Sequence, residues 1–333
     1  MKSNLFARHR RSLVGALVAT LGAGLAVPAA AQANWPSRPI KLMVPYAAGG
    51  STDILSRLLA ERLTEKLGQQ VLVENRGGAG GSVGATAFVK SAADDHSFMM
   101  VTQSQISINQ FLFKDKLGYD PVADLQPVGL VAQTTNAIVA SSSLPVTTFK
   151  GLIDYAKANP GKVAYSSAGV GSTGHLLNEL MKTTLGIDIV HVPYKGNGPA
   201  MQAVVAGEVQ FNTDNMPQLL QQIKGGKVKP LAVTTDKRWF QLPDVPTVVE
   251  LGYPKLVTVV WFGLVAQKSM PRETLLRMNK AVNEILAQPQ FNALLRENSL
   301  EATPGTPEQM SKLAATERVR WKAVVEASGA TTE

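Results

Sequence analysis

Three stretches combine glycine with hydroxyl or acidic side chains at spacings that suit chemistry. The first is Pro45-Tyr46-Ala47-Ala48-Gly49-Gly50-Ser51-Thr52-Asp53, the second Ser166-Ser167-Ala168-Gly169-Val170-Gly171-Ser172-Thr173-Gly174-His175, and the third Gly80-Gly81-Ser82-Val83-Gly84. In the first two, glycines let the backbone approach a ligand with no Cβ in the way, and Ser51, Thr52, Ser172 and Thr173 either cap a helix or donate a hydroxyl to an anion. The first loop reads equally as a tight turn with a good cap, and Asp53 as favourable charge in a first helical turn.

Two enzyme readings compete with anion binding. Gly169, Gly171 and Gly174 spell the G-x-G-x-x-G dinucleotide fingerprint, which needs an acidic residue at the end of the next strand to hold a ribose hydroxyl. That strand ends at Tyr194-Lys195, so the requirement fails. Ser82 sits in G-x-S-x-G, the pattern of a hydrolase nucleophile elbow, but the preceding strand ends near Asn75, too early for a sharp elbow. No spacing selects a base among His96, His175 and His191. A secreted serine hydrolase using Ser82 and a nucleotide-binding oxidoreductase using 169–174 therefore stand as the alternatives.

Other residues fall at similar positions. Tyr194-Lys195-Gly196-Asn197-Gly198-Pro199 repeats the strand, turn, helix arrangement, which brings its amides and Asn197 toward the same cleft. Asp214-Asn215, at a further strand end, holds an ammonium or a water, or caps the next helix. Ser104 follows a strand over 98–102, and His175 reads as a packing or capping residue. Tyr46 would add apolar contact. Two anion-friendly loops without an evident base, nucleophile or metal make the pattern of a clamp.

The elements that must position these residues follow from hydrophobic periodicity. Residues 40–46 form an apolar strand, and Ile54, Leu55, Leu58, Leu59, Leu63 and Leu67 share one face of a helix over 52–67. Strands at 71–74 and 98–102 with a helix over 81–90 continue a parallel α/β series. After the apolar stretch 128–140, a second series has helices at 149–158, 174–185, 199–206 and 217–224 and strands at 163–167, 189–194, 209–212 and 228–234. A strand at 257–266, a helix at 272–286 and a last helix opened by the capping box Thr306-Pro307-Glu308-Gln309 complete the chain. No Ser/Pro linker separates the two series. Strands therefore cross between two lobes, giving a discontinuous first domain, 34–134 plus 235–333, and a continuous second one, 135–234.

Composition narrows the field further. The chain of 333 residues is 45% hydrophobic and 17% charged, too apolar for disorder. Residues 1–33 read as a secretory signal: Lys2, Arg8, Arg10 and Arg11 precede an uncharged stretch, and Ala31-Gln32-Ala33 predicts cleavage after Ala33. Cleavage removes four basic residues and no acidic one, so the net charge of +8 falls to +4, and no basic cluster indicates nucleic acid. The absence of cysteine excludes disulfides and thiolate chemistry.

Several motifs occur together in one order: the signal, Trp35-Pro36-Ser37-Arg38-Pro39-Ile40, the first loop, Glu74-Asn75-Arg76-Gly77-Gly78-Ala79-Gly80, Gly171-Ser172-Thr173-Gly174-His175-Leu176, Val192-Pro193-Tyr194-Lys195-Gly196, Leu242-Pro243-Asp244-Val245-Pro246-Thr247 and Gly252-Tyr253-Pro254. This order resembles the Bug receptors, periplasmic solute-binding proteins of the tripartite tricarboxylate transporter type. The resemblance implies an α/β, two-lobed periplasmic binding protein fold of type II, each lobe a mainly parallel sheet flanked by helices, with the ligand cleft between lobes. It implies a periplasmic, non-enzymatic monomer without cofactor or nucleic acid that takes a small carboxylate (an organic, amino or aromatic acid) and presents it to a two-component membrane permease. In the family, loop amides and hydroxyls hold the carboxylate, partly through water, which carries over to Gly49, Gly50, Ser51, Thr52, Gly169, Ser172 and Thr173. Asn212-Thr213-Asp214 departs from the family's apolar-plus-Asp pattern. The full expected site is Tyr46, Ala47, Gly49, Gly50, Ser51, Thr52, Asp53, Ser104, Ala168, Gly169, Ser172, Thr173, Tyr194, Asn197 and Asp214.

Overall fold

Alternation of buried Ile40, Leu42 and Val44 with more exposed neighbours makes Ile40–Val44 (β1) a strand of a covered sheet. The structure is a computed structural model describing residues 35–330. The expected signal sequence and cleavage point lie outside the described residues. After β1 comes helix α1 (Ser51–Leu67), whose Leu55, Leu59 and Leu63 recur every fourth residue on the buried face; Gly68, at φ +69°, closes it in the left-handed conformation. Strand β2 (Val71–Asn75), helix α2 (Ser82–Lys90) and strand β3 (Ser97–Thr102) complete the first series.

A π-helical turn, Ser104–Ile108, and the short helix α3 (Asn109–Phe113) then precede the 17-residue strand β4 (Leu125–Ser141). The second series runs α4 (Phe149–Ala158), β5 (Val163–Ser167), α5 (Thr173–Leu185), β6 (Ile189–Pro193), α6 (Asn197–Ala206), β7 (Phe211–Asn215), α7 (Met216–Lys224) and β8 (Val228–Val233). The chain ends with β9 (Val259–Gln267), α8 (Arg272–Leu286), α9 (Pro289–Glu297), the short β10 (Glu301–Ala302) and α10 (Pro307–Ser328). Helix α10 opens with the expected capping box, Thr306 accepting from Gln309 N–H and Gln309 from Thr306 N–H.

Two sheets share β4. The first has the order β2-β1-β3-β9-β4, with β10 on the far side of β4; the second has β4 between β8 and β7, followed by β5 and β6. Strand β4 pairs with β9 as far as Thr135↔Val259, and with β7 from Asn136↔Asn215 onward. The parallel character expected of each sheet belongs to β2-β1-β3 and to β6-β5-β7, whereas β4 meets β7 and β8, and β9 meets β3, antiparallel. The reason is topological. A strand that leaves one sheet at its carboxyl edge enters the next through that sheet's carboxyl edge, and so runs against its strands. Each sheet has its own core: Phe149, Tyr165, Leu177 and Phe211 pack under the second, and Phe88, Met99, Trp261 and Met310 under the first.

Candidate functional site

The carboxyl ends of the parallel strands, where ligands bind in open α/β sheets, hold loops that lead directly into helices. Four helix starts meet around one cavity: Thr52 from α1, Ser172, Thr173 and Gly174 from α5, Asn197 from α6, and Asn215, the N-cap of α7. Tyr46, Thr102, Ala168 and Asp214 complete its wall. The cavity measures about 20 Å³, room for a water and too small for an organic acid. The positive ends of four helix dipoles converge there, an environment that favours anions.

Of the expected residues, Tyr46, Thr52, Ala168, Ser172, Thr173, Asn197 and Asp214 line the cavity together. Tyr46 is fixed by its hydroxyl, which receives Gln105 Nε2 at 2.8 Å and donates to Gly80 O at 3.3 Å. Ser172 is the N-cap of α5, its Oγ accepting from His175 N–H at 3.3 Å.

The remaining expected residues form the frame behind this wall. Asp53 accepts from Gly49 N–H at 2.9 Å, from Asn75 Nδ2 at 2.9 Å and from Arg57 Nε at 3.0 Å. Burial pushes its carboxyl up, but these bonds and the guanidinium outweigh that and hold it below the usual range. It therefore braces the first loop, with Gly49 at φ +84°. A Cβ on Gly50 would come within 3.5 Å of Asn197, and Ala47 lies against Gly196. Gly169, at φ +118°, packs against Gly80 N and Tyr194 O, and Tyr194 is half-buried over the Ala137 and Val139 core. Ser51 and Ser104 are fully buried, and neither hydroxyl has a partner within the protein.

Asp214 differs most from its expected setting. It lies inside β7, which begins and ends later than the expected strand 209–212, because Phe211 and Thr213 pair with β4 while Val209 joins the core before the ladder starts. Its Oδ1 accepts from Asn215 N–H at 2.7 Å and from Asn197 Nδ2, and its Oδ2 from Gln218 Nε2. Burial pushes its carboxyl up to about 7 against the lowering effect of these donors.

Thr102 and Gly174 line the cavity from outside the expected site, and so does Asn215, which the sequence marks only with Asp214, as holding an ammonium or a water or as a cap. Each ends a strand or starts a helix, the signal already used for their neighbours Ser104, Thr173 and Asp214. His175 is a packing residue: its Nδ1 accepts from Gly171 N–H at 3.3 Å, and its ring stacks on His191 with centroids 4.1 Å apart. His191 in turn meets Ser167 Oγ at 2.6 Å. The fingerprint loop is thus filled by its own packing, with Gly171 set against Asn109 and Phe113. Ser82 starts α2 in a surface groove beside Arg76, Thr86 and Lys90, without a histidine among the lining residues. Among the described residues no group of three or more His, Asp or Glu side chains could hold a metal.

A model of the tripartite tricarboxylate transporter family receptor matches residues 55–330. The chain belongs to that family. The receptor is 37% identical over 322 residues to protein BugT of Bordetella pertussis, covering 96% of this chain and 97% of the relative. A solved structure of Rpa4515 from R. palustris with adipate superposes with a TM-score of 0.86 at 37% identity, covering 89% of this chain and 99% of that one. MatC from Rhodopseudomonas palustris with bound malate superposes with a TM-score of 0.83 at 30% identity, covering 87% and 100%. The receptor accordingly has the two-lobed α/β fold of periplasmic binding proteins and is a periplasmic solute-binding protein of the Bug family. The hydrolase and dinucleotide readings find no support in either comparison or geometry.

Proposed function

We propose that the receptor captures a small carboxylate between its lobes at the cavity where the four helix starts converge, and presents it to a tripartite membrane permease. That convergence is the observation that carries the reading. No lysine or arginine lines the cavity, so backbone N–H groups and the hydroxyls of Thr52, Ser172 and Thr173 are the donors for the acid. Hydrogen bonds to a charged group contribute roughly 1.5–3 kcal/mol each, and a helix dipole about 0.3–1 kcal/mol. Four such bonds must exceed an association cost of roughly 4–15 kcal/mol, so contact with Tyr46 and closure of the lobes supply part of the affinity. The adipate and malate held by Rpa4515 and MatC support a carboxylate as the solute.

In this reading the lobes comprise 34–134 plus 235–333, and 135–234. The change of partners of β4 between Thr135 and Asn136 supports that division. The mature chain begins after Ala33, acts as a monomer and catalyses nothing. Because the cavity now holds little more than a water, the lobes must part to admit the solute, with the residues behind the wall moving as part of each lobe.

A thermal-shift screen of residues 34–333 against mono-, di- and tricarboxylates, amino acids, aromatic acids, nucleotides and ester analogues tests this. A ligand at 100 times its dissociation constant adds about 2.7 kcal/mol. A shift from one carboxylate class supports the receptor reading. A shift from a nucleotide or ester, with none from any acid, overturns it.

A further inference from the structure

We infer that the solute carries no amino group, and that Asn136 reads a hydroxyl or carbonyl substituent on it. This rests on the carboxylate-receptor reading and narrows its solute class. The first part follows from charge. An ammonium buried in the cleft needs an anionic partner, and Asp214 is the one carboxylate lining the cavity. Its two oxygens already accept from Asn197, Gln218 and Asn215 N–H. Asp53, beside Thr52, is likewise occupied by Gly49 N–H, Asn75 and Arg57. With four helix starts facing the same space, a cation meets positive dipole ends on several sides, and the two carboxylates near it are each already held by three donors.

The second part follows from hydrogen bonding. Asn136 is fully buried at the point where β4 passes between sheets, directly across the ladder from the cavity residue Asn215. Neither its Oδ1 nor its Nδ2 has a partner within the protein. A buried amide left in this way is costly, and it offers one acceptor and two donors to whatever enters. A hydroxyl can donate to Oδ1 and accept from Nδ2; a carbonyl can accept from Nδ2. Ser104, also buried with an unpaired hydroxyl, follows the cavity residue Thr102 by two positions and adds a second neutral partner. The site therefore pairs an anionic end with a neutral polar substituent.

The test is titration calorimetry with two matched series, succinate, malate and aspartate, then adipate, 2-hydroxyadipate and 2-aminoadipate, on the mature protein and on Asn136→Ala and Asn136→Asp. The expected result has three parts. The hydroxy acid of the better-binding series binds at least tenfold tighter than its amino analogue. Its advantage over the unsubstituted acid disappears in Asn136→Ala, and Asn136→Asp narrows the gap to the amino analogue. An amino analogue that binds as tightly as the hydroxy acid overturns the solute class and leaves the carboxylate reading standing. A hydroxyl preference over the unsubstituted acid retained in Asn136→Ala, folded as judged by circular dichroism, overturns the role of Asn136. Failure of all six acids, with other carboxylates bound in the thermal-shift screen, overturns the inference alone; failure of every carboxylate overturns both.

Discussion

A Cβ built on Gly80 would lie 2.4 Å from the carbonyl oxygen of Val170, so the glycine-rich turn before α2 and the loop before α5 touch backbone to backbone. Gly80 is also at φ +58°, a conformation that costs an L side chain energy. Gly80→Ala should therefore oppose this contact by roughly 1–3 kcal/mol, about 5- to 150-fold in affinity. X-ray scattering with saturating ligand checks the cause. The natural protein should compact on binding and the variant should compact less; equal compaction and equal affinity would remove this contact from the closing mechanism.

The second loop separates capping from binding. Ser172 Oγ caps α5 through His175 N–H, so Ser172→Ala should cost about 1 kcal/mol of stability as well as affinity. Thr173 lines the same cavity without a capping bond. Thr173→Ala should weaken carboxylate binding while leaving the denaturation midpoint nearly unchanged. Calorimetry and urea unfolding on both variants decide the matter: unchanged affinity in both takes the second loop out of the site.

How much of this was legible in the sequence depends on how local the cause was. Helix α4 and strand β5 fall where periodicity puts them, and the cap of α10 is present in full, because those signals lie within a few residues. The turn Ser104–Ile108, helix α9 and strand β10 escaped. The first has no amphipathic stripe, being buried throughout, and β10 exists only because β4 offers an edge 168 residues away. Strand-to-helix loops in the sequence mark the segments that meet at the cavity, but not which of their side chains line it. Asp53, read both as helix-start charge and as part of the expected site, is bonded to Arg57 and Asn75, partners 4 and 22 residues away that no local pattern marks, and Asn136, within the apolar stretch 128–140, draws no reading.

The stacked histidines should make stability fall in acid. Burial first, and then Lys182 for His175 and His175 for His191, lower their values from 6.5 to about 4 and about 3. A base whose folded value is depressed stays neutral in the fold while the unfolded chain takes up its proton. Their contribution is therefore intact above pH 6.5 and is lost as pH falls toward about 4, by up to about 1.4 kcal/mol per pH unit and site. His191→Gln, which keeps a partner for Ser167, should reduce this slope. Urea unfolding at pH 7.5, 6 and 5 measures it, and parallel curves for protein and variant would rule the pair out as the origin.

Asp214 acts in the opposite sense. Burial raises it from 3.8 to about 7 although Asn215 N–H, Asn197 and Gln218 all donate to it. For an acid raised on folding, the favourable contribution is complete below the unfolded value near 4 and is lost as pH rises through about 7. Asp214→Asn removes the titration and keeps the shape, so its stability relative to the natural protein should improve between pH 4.5 and pH 8, by an amount on the order of a few kcal/mol. The same substitution disturbs Asn197, which Asp214 orients at the start of α6, so carboxylate affinity should fall at every pH. A stability difference that is flat from pH 4.5 to 8 would show that Asp214 stays ionised in the fold, held so by its three donors.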